Sequence, residues 1–347
     1  MKVLFDMVHP ADVHFFRFTI NNLVRKGNEV CVASRKKDIT LELLDELGIA
    51  NTSISDKGNG TIGLFTELLS RDYRLYRLAR RFRPDIIVSN NSPCGAQVAW
   101  LLGIPSIVFD DTEIHRFSQM LYCSTVTEVH SPDCYRTSLG RKHHFYPGYH
   151  ALAYLHPEHF QPDPEILRKG GLNPDERMVL LRFVGWGAMH DAGLAGLSRE
   201  NKHRLVKMIR EYARVLISSE AELDSELEPY RIEIPFTDMH HLLAFVDVVV
   251  GESATMCSEA VSLGTPAIFI DEKGRGYTDE QEHKYGLCSN FRPDEYNRIE
   301  ARITELLSLD DVKCHHKAAW SRMIADKINV SAYQTDQIYR LVSQGRQ

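Results

Sequence analysis

Residues 248–271 read VVVGESATMCSEAVSLGTPAIFID, and this stretch decides the predicted fold. An apolar run ends at Gly251, which lets the backbone turn closely, and a helix-compatible segment begins near Ala254. Ser253 and Thr255 are residue types that cap such a helix. The first backbone N–H groups of a helix attract anions, so the stretch predicts a phosphate site. The alternative is one more βα junction that binds no ligand.

A carboxylate follows about one turn into this helix. Glu259 is placed to accept hydrogen bonds from ribose hydroxyls, which makes it a specificity residue rather than a phosphate ligand. Ligands of open parallel sheets bind at the carboxyl ends of the strands. The predicted substrate-binding residues of this segment are therefore Gly251, Glu252, Ser253, Ala254, Thr255 and Glu259.

On both sides of this stretch, short apolar runs alternate with amphipathic segments, the pattern of repeated βα units around parallel sheets. Strands are predicted at 3–8, 29–33, 86–89, 106–109, 125–129, 178–184, 213–218, 230–232, 246–251 and 267–271. Helices are predicted near 13–26, 38–47, 62–82, 94–102, 113–122, 200–212, 238–244, 254–263, 279–285 and 295–308. Prolines and glycines at 140–175 indicate a connection without regular helix or central strand, and 312–342 is predicted to be wholly helical.

Length and composition limit the class of protein. The 347 residues suffice for two domains of about 150 residues each. A net charge of -6 argues against a nucleic-acid partner, and seven cysteines without a CxxC pair give little support to a structural zinc. No apolar run reaches the roughly 18 residues of a membrane span. We expect a cytoplasmic protein, with peripheral contact at the inner membrane surface left open.

The first βα turn holds His9, Asp12 and His14 just after the first predicted strand. The turn lacks the glycines of a GxGxxG loop, so NAD binding is disfavoured. His9 and His14 are candidate general bases. The alternative for His14 is a place on the helix surface or in the core.

A second cluster follows the strand at 106–109. Asp110, Asp111, Glu113 and His115 are candidate catalytic residues, as a general base or as ligands of sugar hydroxyls. The alternative is that Asp111 or Thr112 caps the next helix, and the two roles can coexist. The spacing of the acids does not fit a DxD metal site, so no required metal is predicted.

Two arginines are candidates for the substrate site of the second half. Arg182 ends a predicted strand, where a cation would stabilise a departing diphosphate. The alternative is a buried arginine paired with an acid of the sheet. Arg275 lies in a glycine-containing segment after the strand at 267–271. Residues 185–191 are predicted to form a loop in which Trp186 could cover a ring of the ligand.

Two resemblances extend these inferences. Ser253-Ala254-Thr255, Glu259 and residues 262–266 resemble the donor-binding signature of GT-B enzymes, including UDP-N-acetylglucosamine 2-epimerases and the peptidoglycan N-acetylglucosaminyltransferase, with Ala254 and Thr255 in place of the usual glycines. His9-Pro10, residues 110–113, 148–150, 154–157 and 251–266 together resemble an uncharacterised bacterial and archaeal family of predicted GT-B proteins.

These resemblances imply an α/β GT-B fold with two Rossmann-like domains facing across a cleft. They imply an acceptor domain at 1–150, a nucleotide-sugar domain at 151–330 and a helix at 331–347 that returns to the first domain.

The expected function is a metal-independent glycosyltransferase of surface polysaccharide or glycoconjugate synthesis. Its donor would be a nucleotide sugar, expected to be UDP-linked, with no further cofactor, and its acceptor a glycan or a lipid-linked molecule. Two alternatives are a UDP-N-acetylglucosamine 2-epimerase-like enzyme and a non-catalytic nucleotide-sugar-binding protein. A homodimer is left open.

Overall fold

The chain forms two α/β units, each built on a parallel sheet. The computed structural model describes residues 1–56, 60–184, 196–220 and 222–345. The first unit comprises Met1–Tyr154 and Lys327–Gln347, and the second comprises Leu155–Asp326. The prediction of two parallel-sheet α/β domains is confirmed.

The first unit contains a seven-stranded sheet in the order β3-β2-β1-β4-β5-β6-β7, with every neighbouring pair parallel. Its strands are β1 (Lys2–Met7), β2 (Glu29–Lys36), β3 (Thr52–Asp56), β4 (Ile86–Asn90), β5 (Ser106–Phe109), β6 (Glu128–Pro132) and β7 (His143–Tyr146). The central strands are apolar runs because side chains on both faces are buried, as in Val3, Leu4 and Phe5 of β1. The helices joining them are α1 (Pro10–Arg25), α2 (Thr40–Glu46), α3 (Gly60–Phe82), α4 (Pro93–Leu102) and α5 (Arg116–Cys123).

The second unit contains a five-stranded parallel sheet in the order β12-β11-β10-β8-β9. Its strands are β8 (Met178–Phe183), β9 (Arg214–Ser219), β10 (Val248–Gly251), β11 (Ala267–Ile270) and β12 (Cys288–Phe291). Its helices are α6 (Pro164–Lys169), α7 (Arg199–Ile209), α8 (Met239–Phe245), α9 (Ala254–Ser262), α10 (Gly276–His283), α11 (Tyr296–Leu307) and α12 (Val312–Asp326). Val179, Val250 and Ile268 of three adjacent strands share one buried core.

The last helix, α13 (Val330–Gln344), belongs to the first unit. It packs against α1, where the Thr19 hydroxyl donates to the carbonyl oxygen of Ser331 at 3.3 Å. Asn28 beyond the end of α1 donates to the Tyr339 hydroxyl at 2.6 Å.

Several predicted elements need correction. The predicted strand at 230–232 is wrong: Glu228–Tyr230 forms a short 3-10 helix, and Arg231 makes an isolated bridge to Ile217. The helical segment at 312–342 is interrupted, because Asn329 caps a new helix by accepting from the amide of Ala332 at 3.1 Å. The segment at 140–175 contains α6, which tolerates Pro164 because proline at the first helical position needs no N–H partner.

Three strands were not predicted, namely β3, β7 and β12. They read TSISD, HHFY and CSNF, without the apolar run that identifies a buried strand. All three lie at sheet edges, where one side of the strand has no neighbour and polar residues are tolerated. In addition, the strand predicted at 125–129 begins three residues later, at Glu128.

Candidate functional site

The turn between β10 and α9 places a helix start at the carboxyl end of a central strand. Ser253 is the N-cap of α9, with extended backbone (φ -100°, ψ 107°), and its hydroxyl oxygen accepts from the amide of Met256 at 3.4 Å. Thr255 is exposed in the first turn, whereas Ala254 is buried. The first amides of a helix have no intrahelical acceptor, so this turn provides donors suited to a phosphate.

Gly251 is required by the neighbouring strand. It pairs with Arg182 of β8, and a Cβ at position 251 would lie 2.7 Å from both the Cβ and the carbonyl oxygen of Arg182. The close approach of two strands, rather than a tight turn, therefore explains the glycine.

Glu252 holds backbone in place. It is buried, and its two carboxylate oxygens accept from the amide of Val184 at 3.0 Å and the amide of Leu197 at 2.8 Å. One side chain thus fastens the segments on either side of the predicted loop at 185–191, which itself lies outside the described residues.

Glu259 is positioned by a histidine of the preceding helix. Its Oε1 lies 3.2 Å from Nε2 of His240 in α8, and both side chains are buried. Nothing in the sequence pattern indicates that α8 contacts α9 at this point, so the contact between His240 and Glu259 is evident only from the structure.

The two predicted cations of this unit have acidic partners. Arg182 donates to the Ser218 hydroxyl at 2.8 Å and forms an ion pair with Glu220. Arg275 precedes α10 and lies 3.2 Å from a carboxylate oxygen of Asp271. Arg182 lies in β8, one residue before its end, and Arg275 follows β11. The charges of both guanidinium groups are partly compensated by these carboxylates.

In the first unit, the turn after β1 is a helix cap. His9 is the N-cap of α1, and its Nδ1 accepts from the amide of Ala11 at 3.2 Å. Asp12 accepts from the amides of Val8 and His9 at 2.8 and 2.9 Å and from the Asn90 side chain at 2.9 Å. Burial raises the pKa of Asp12 to about 6.

The other histidine predicted from this turn lies within α1. The ring of His14 faces Tyr154 with a centroid distance of 5.4 Å.

Asp110 is enclosed by hydrogen-bond donors. Its Oδ2 accepts from the hydroxyls of Tyr122 and Tyr135 at 2.6 and 3.2 Å and from the Gln119 amide at 3.1 Å. Its Oδ1 accepts from the amide of Thr112 at 2.9 Å. Burial raises the pKa of Asp110 to about 6. This set of partners indicates that Asp110 fixes the segment after β5.

Asp111 forms a pair with a histidine that the sequence analysis missed. Its Oδ2 lies 3.2 Å from Nδ1 of His150, whose ring stacks on Phe15 with centroids 3.9 Å apart. The Nε2 of His150 is buried and has no hydrogen-bond partner among the described residues. Burial lowers the pKa of His150, against the opposing effect of Asp111, so the neutral imidazole is favoured. The sequence could have pointed to His150 by its position, four residues after the end of β7 at Tyr146. The strand β7 itself was not predicted.

Glu113 and His115 are close to Asp111 in the sequence, but they contact other residues. Glu113 accepts from the amide of Arg136 at 3.1 Å, and its other oxygen is buried without a hydrogen-bond partner in the described residues. His115 is the N-cap of α5, and its Nδ1 contacts the side-chain amide of Asn91. Asp111 is thus a predicted catalytic acid that pairs directly with an imidazole.

No helix within the described ranges combines the length and the apolar character needed to cross a bilayer.

Several solved structures resemble the whole chain. The spinosyn forosaminyltransferase SpnP superposes with a TM-score of 0.69 at 15% identity, covering 100% of both chains. The UDP-GlcNAc 2-epimerase from Neisseria meningitidis bound to UDP-GlcNAc gives 0.67 at 12%, covering 99% of this chain and 100% of the other. The glycosyltransferase VinC in complex with dTDP gives 0.64 at 13%, covering 100% of both. The predicted GT-B fold is confirmed.

Sequence comparison adds the family. No curated protein sequence matches the chain. A family model described as "Protein of unknown function (DUF354)" matches residues 1–274. Because this match covers well over half of the sequence, the chain belongs to the DUF354 family.

Proposed function

We propose that this protein is a metal-independent glycosyltransferase that transfers a sugar from a uridine diphosphate sugar to a hydroxyl of a glycan or lipid-linked acceptor. The observation that carries the proposal is the β10–α9 turn, where the Ser253-capped helix start follows a central parallel strand. Helix starts of this kind bind diphosphates through backbone N–H groups. The similarity to a transferase holding dTDP and an epimerase holding UDP-GlcNAc supports the same class of ligand.

In this proposal, the first turn of α9 binds the donor diphosphate and Glu259 binds the ribose. The contact between Glu259 and His240 supports that role, because it fixes the orientation of the carboxylate. Arg182 would stabilise the charge that develops as the nucleoside diphosphate leaves. Arg275 would contact the donor sugar from the start of α10.

We assign the general base to His150. Its Nε2 would take the proton of the acceptor hydroxyl as the acceptor oxygen bonds to the anomeric carbon and the bond from that carbon to the diphosphate breaks. Asp111 would stabilise the resulting imidazolium through Nδ1. A buried nitrogen without a partner costs about 1–3 kcal/mol, which a bound hydroxyl would offset.

The donor site is tested by thermal shift with UDP, dTDP, ADP and GDP. Uridine diphosphate is expected to give the largest rise in melting temperature, because a ligand that binds only the folded state stabilises it by mass action. Glu259→Ala should weaken the shift, by about tenfold in apparent affinity, since a charge-assisted hydrogen bond is lost. Glu305→Ala, at an exposed site on α11, is the control. A parent protein that none of the nucleotides stabilises would contradict the proposal.

The second candidate is an epimerase. It is favoured by the buried, unpartnered oxygen of Glu113 in the described structure, which offers another acid or base near Asp111 in sequence. Incubation with UDP-N-acetylglucosamine alone separates the two functions. Formation of the C2 epimer of the sugar without an acceptor identifies an epimerase, whereas a transferase releases only traces of UDP.

A further inference from the structure

Helices α3, α4 and α5 are neighbours, and each exposes large apolar side chains. Helix α4 packs against both α3 and α5, so the three form one layer on the first sheet. Among the side chains of these helices that the structure describes, six are between 55% and 68% exposed: Leu69, Tyr73, Trp100, Leu101, Phe117 and Met120. We call these residues, with the exposed Arg77, Arg80, Arg81 and Arg116, the α3–α5 surface. Soluble monomers rarely expose this many large apolar side chains together, so the surface indicates a binding partner.

The basic residues continue the apolar stripe. Leu69, Tyr73, Arg77 and Arg80 follow one another at spacings of four, four and three residues, which places them on one side of α3. On α5, Arg116 and Met120 are likewise one turn apart. Among the described residues, these four arginines form no ion pair with an acid.

In the described parts of α3, α4 and α5, no acidic side chain is exposed. Helices α4 and α5 contain no Asp or Glu. The two acids of α3 are partly covered, and one of them, Glu67, forms an ion pair with Arg35. A positive surface on a chain with a net charge of -6 is a local feature, and it favours a negatively charged partner.

We propose that the α3–α5 surface docks on an anionic lipid bilayer. Exposed Trp, Tyr and Phe side chains suit the headgroup region, and adjacent arginines suit anionic lipids. A second copy of the chain fits less well, because a two-fold contact would bring the same arginines of both copies together. The inference does not depend on the reaction that the protein catalyses.

The test is co-sedimentation of the full chain with vesicles of phosphatidylcholine, with or without phosphatidylglycerol. Binding is expected only when phosphatidylglycerol is present, and it should fall as salt is raised. The double variant Phe117→Ser/Met120→Ser should lower binding at least tenfold. The variant Arg77→Glu/Arg80→Glu should lower binding by a larger factor. Each basic side chain contributes about fivefold to the affinity for an anionic membrane.

Phe236→Ser is the matched control, because Phe236 is 58% exposed but belongs to the second unit. It should bind vesicles as the parent does, and equal melting temperatures establish that the variants fold. The proposal is overturned if the parent binds neither vesicle, if the surface variants bind as tightly as the parent, or if sedimentation analysis finds a dimer that Phe117→Ser/Met120→Ser dissociates.

Discussion

The imidazole of His150 has its two nitrogens in different surroundings. Nδ1 faces the Asp111 carboxylate, and the buried Nε2 has no partner among the described residues. A neutral histidine with its proton on Nδ1 keeps a lone pair on Nε2, which is the arrangement a general base requires. The proposed role of His150 as general base therefore depends on which tautomer the carboxylate selects.

We predict that His150 titrates below pH 6.5 and carries its neutral proton on Nδ1. Burial disfavours the charged ring, so the protonated form is populated only as pH falls below the usual value. Asp111→Asn should lower the midpoint further, because the opposing negative charge is removed. Nitrogen-15 NMR of labelled histidine measures both properties, with His150→Gln to assign the signal. A midpoint above 6.5 or a proton on Nε2 would refute the assignment.

Under the proposed transferase function, His150→Gln should also reduce sugar transfer by about 10²–10⁴-fold while leaving UDP binding unchanged. A loss of UDP binding in this variant would instead indicate a structural role.

The buried carboxylate of Glu252 accepts hydrogen bonds from two backbone amides. Replacing it with Gln puts an N–H donor against one of two backbone amides, which should lower the free energy of unfolding by about 1–3 kcal/mol. Urea denaturation measures the change. Glu305→Gln, whose side chain is 67% exposed, should change it by less than about 0.5 kcal/mol. Equal stability of the two variants would mean that the amides of Val184 and Leu197 are satisfied in another way.

At the scale of elements, the spacing between β8 and β10 controls the helix start that follows. Gly251 allows the strands to approach, and α9 begins three residues later. Gly251→Ala should therefore cost about 1–3 kcal/mol of stability by overpacking against Arg182. Nucleotide binding should weaken in parallel if the strand end is displaced.

Gly170→Ala is the control for this variant, because its nearest contact would be 3.4 Å from Leu167 and its φ is negative. Thermal unfolding compares the two. A Gly251→Ala variant as stable as Gly170→Ala would show that β8 and β10 can separate at little cost.

At the scale of the whole molecule, buried and partly buried histidines couple stability to pH. Burial lowers the pKa of His143 to about 4, and burial also lowers the pKa of His130 and of His150. Below pH 6.5 the unfolded chain therefore binds protons at these sites that the folded chain does not. The free energy of unfolding should fall as pH falls from 6.5 towards 4. Asp12 and Asp110, whose pKa values are raised to about 6 by burial, partly offset this effect.

The free energy of unfolding is expected to fall between about pH 7 and about pH 5, and we predict that His143→Gln makes this fall smaller by about 1 kcal/mol. Urea denaturation at the two pH values measures the difference from the parent, and His283→Gln, at an exposed site, is the control. An unchanged pH dependence in His143→Gln would mean that this ring is protonated in the folded protein.

The sequence alone determined the two parallel sheets. Buried strands need continuous apolar runs, and the helices between them show apolar residues at helical spacing. It also located the β10–α9 turn and the polar residues at strand ends, since those positions follow directly from strand order. It did not reveal β3, β7 and β12, whose polar composition is allowed only by an edge position in the sheet.

The tertiary structure decided which of these polar residues meet. Asp111 is close to His150, which is 39 positions away in the chain. Glu252 accepts hydrogen bonds from the backbone amides of Val184 and Leu197, which lie in distant segments. Periodicity describes neighbours within one element, whereas such contacts depend on how separate elements pack. For the same reason, the cap at His9 and the enclosure of Asp110 became evident only from the folded chain.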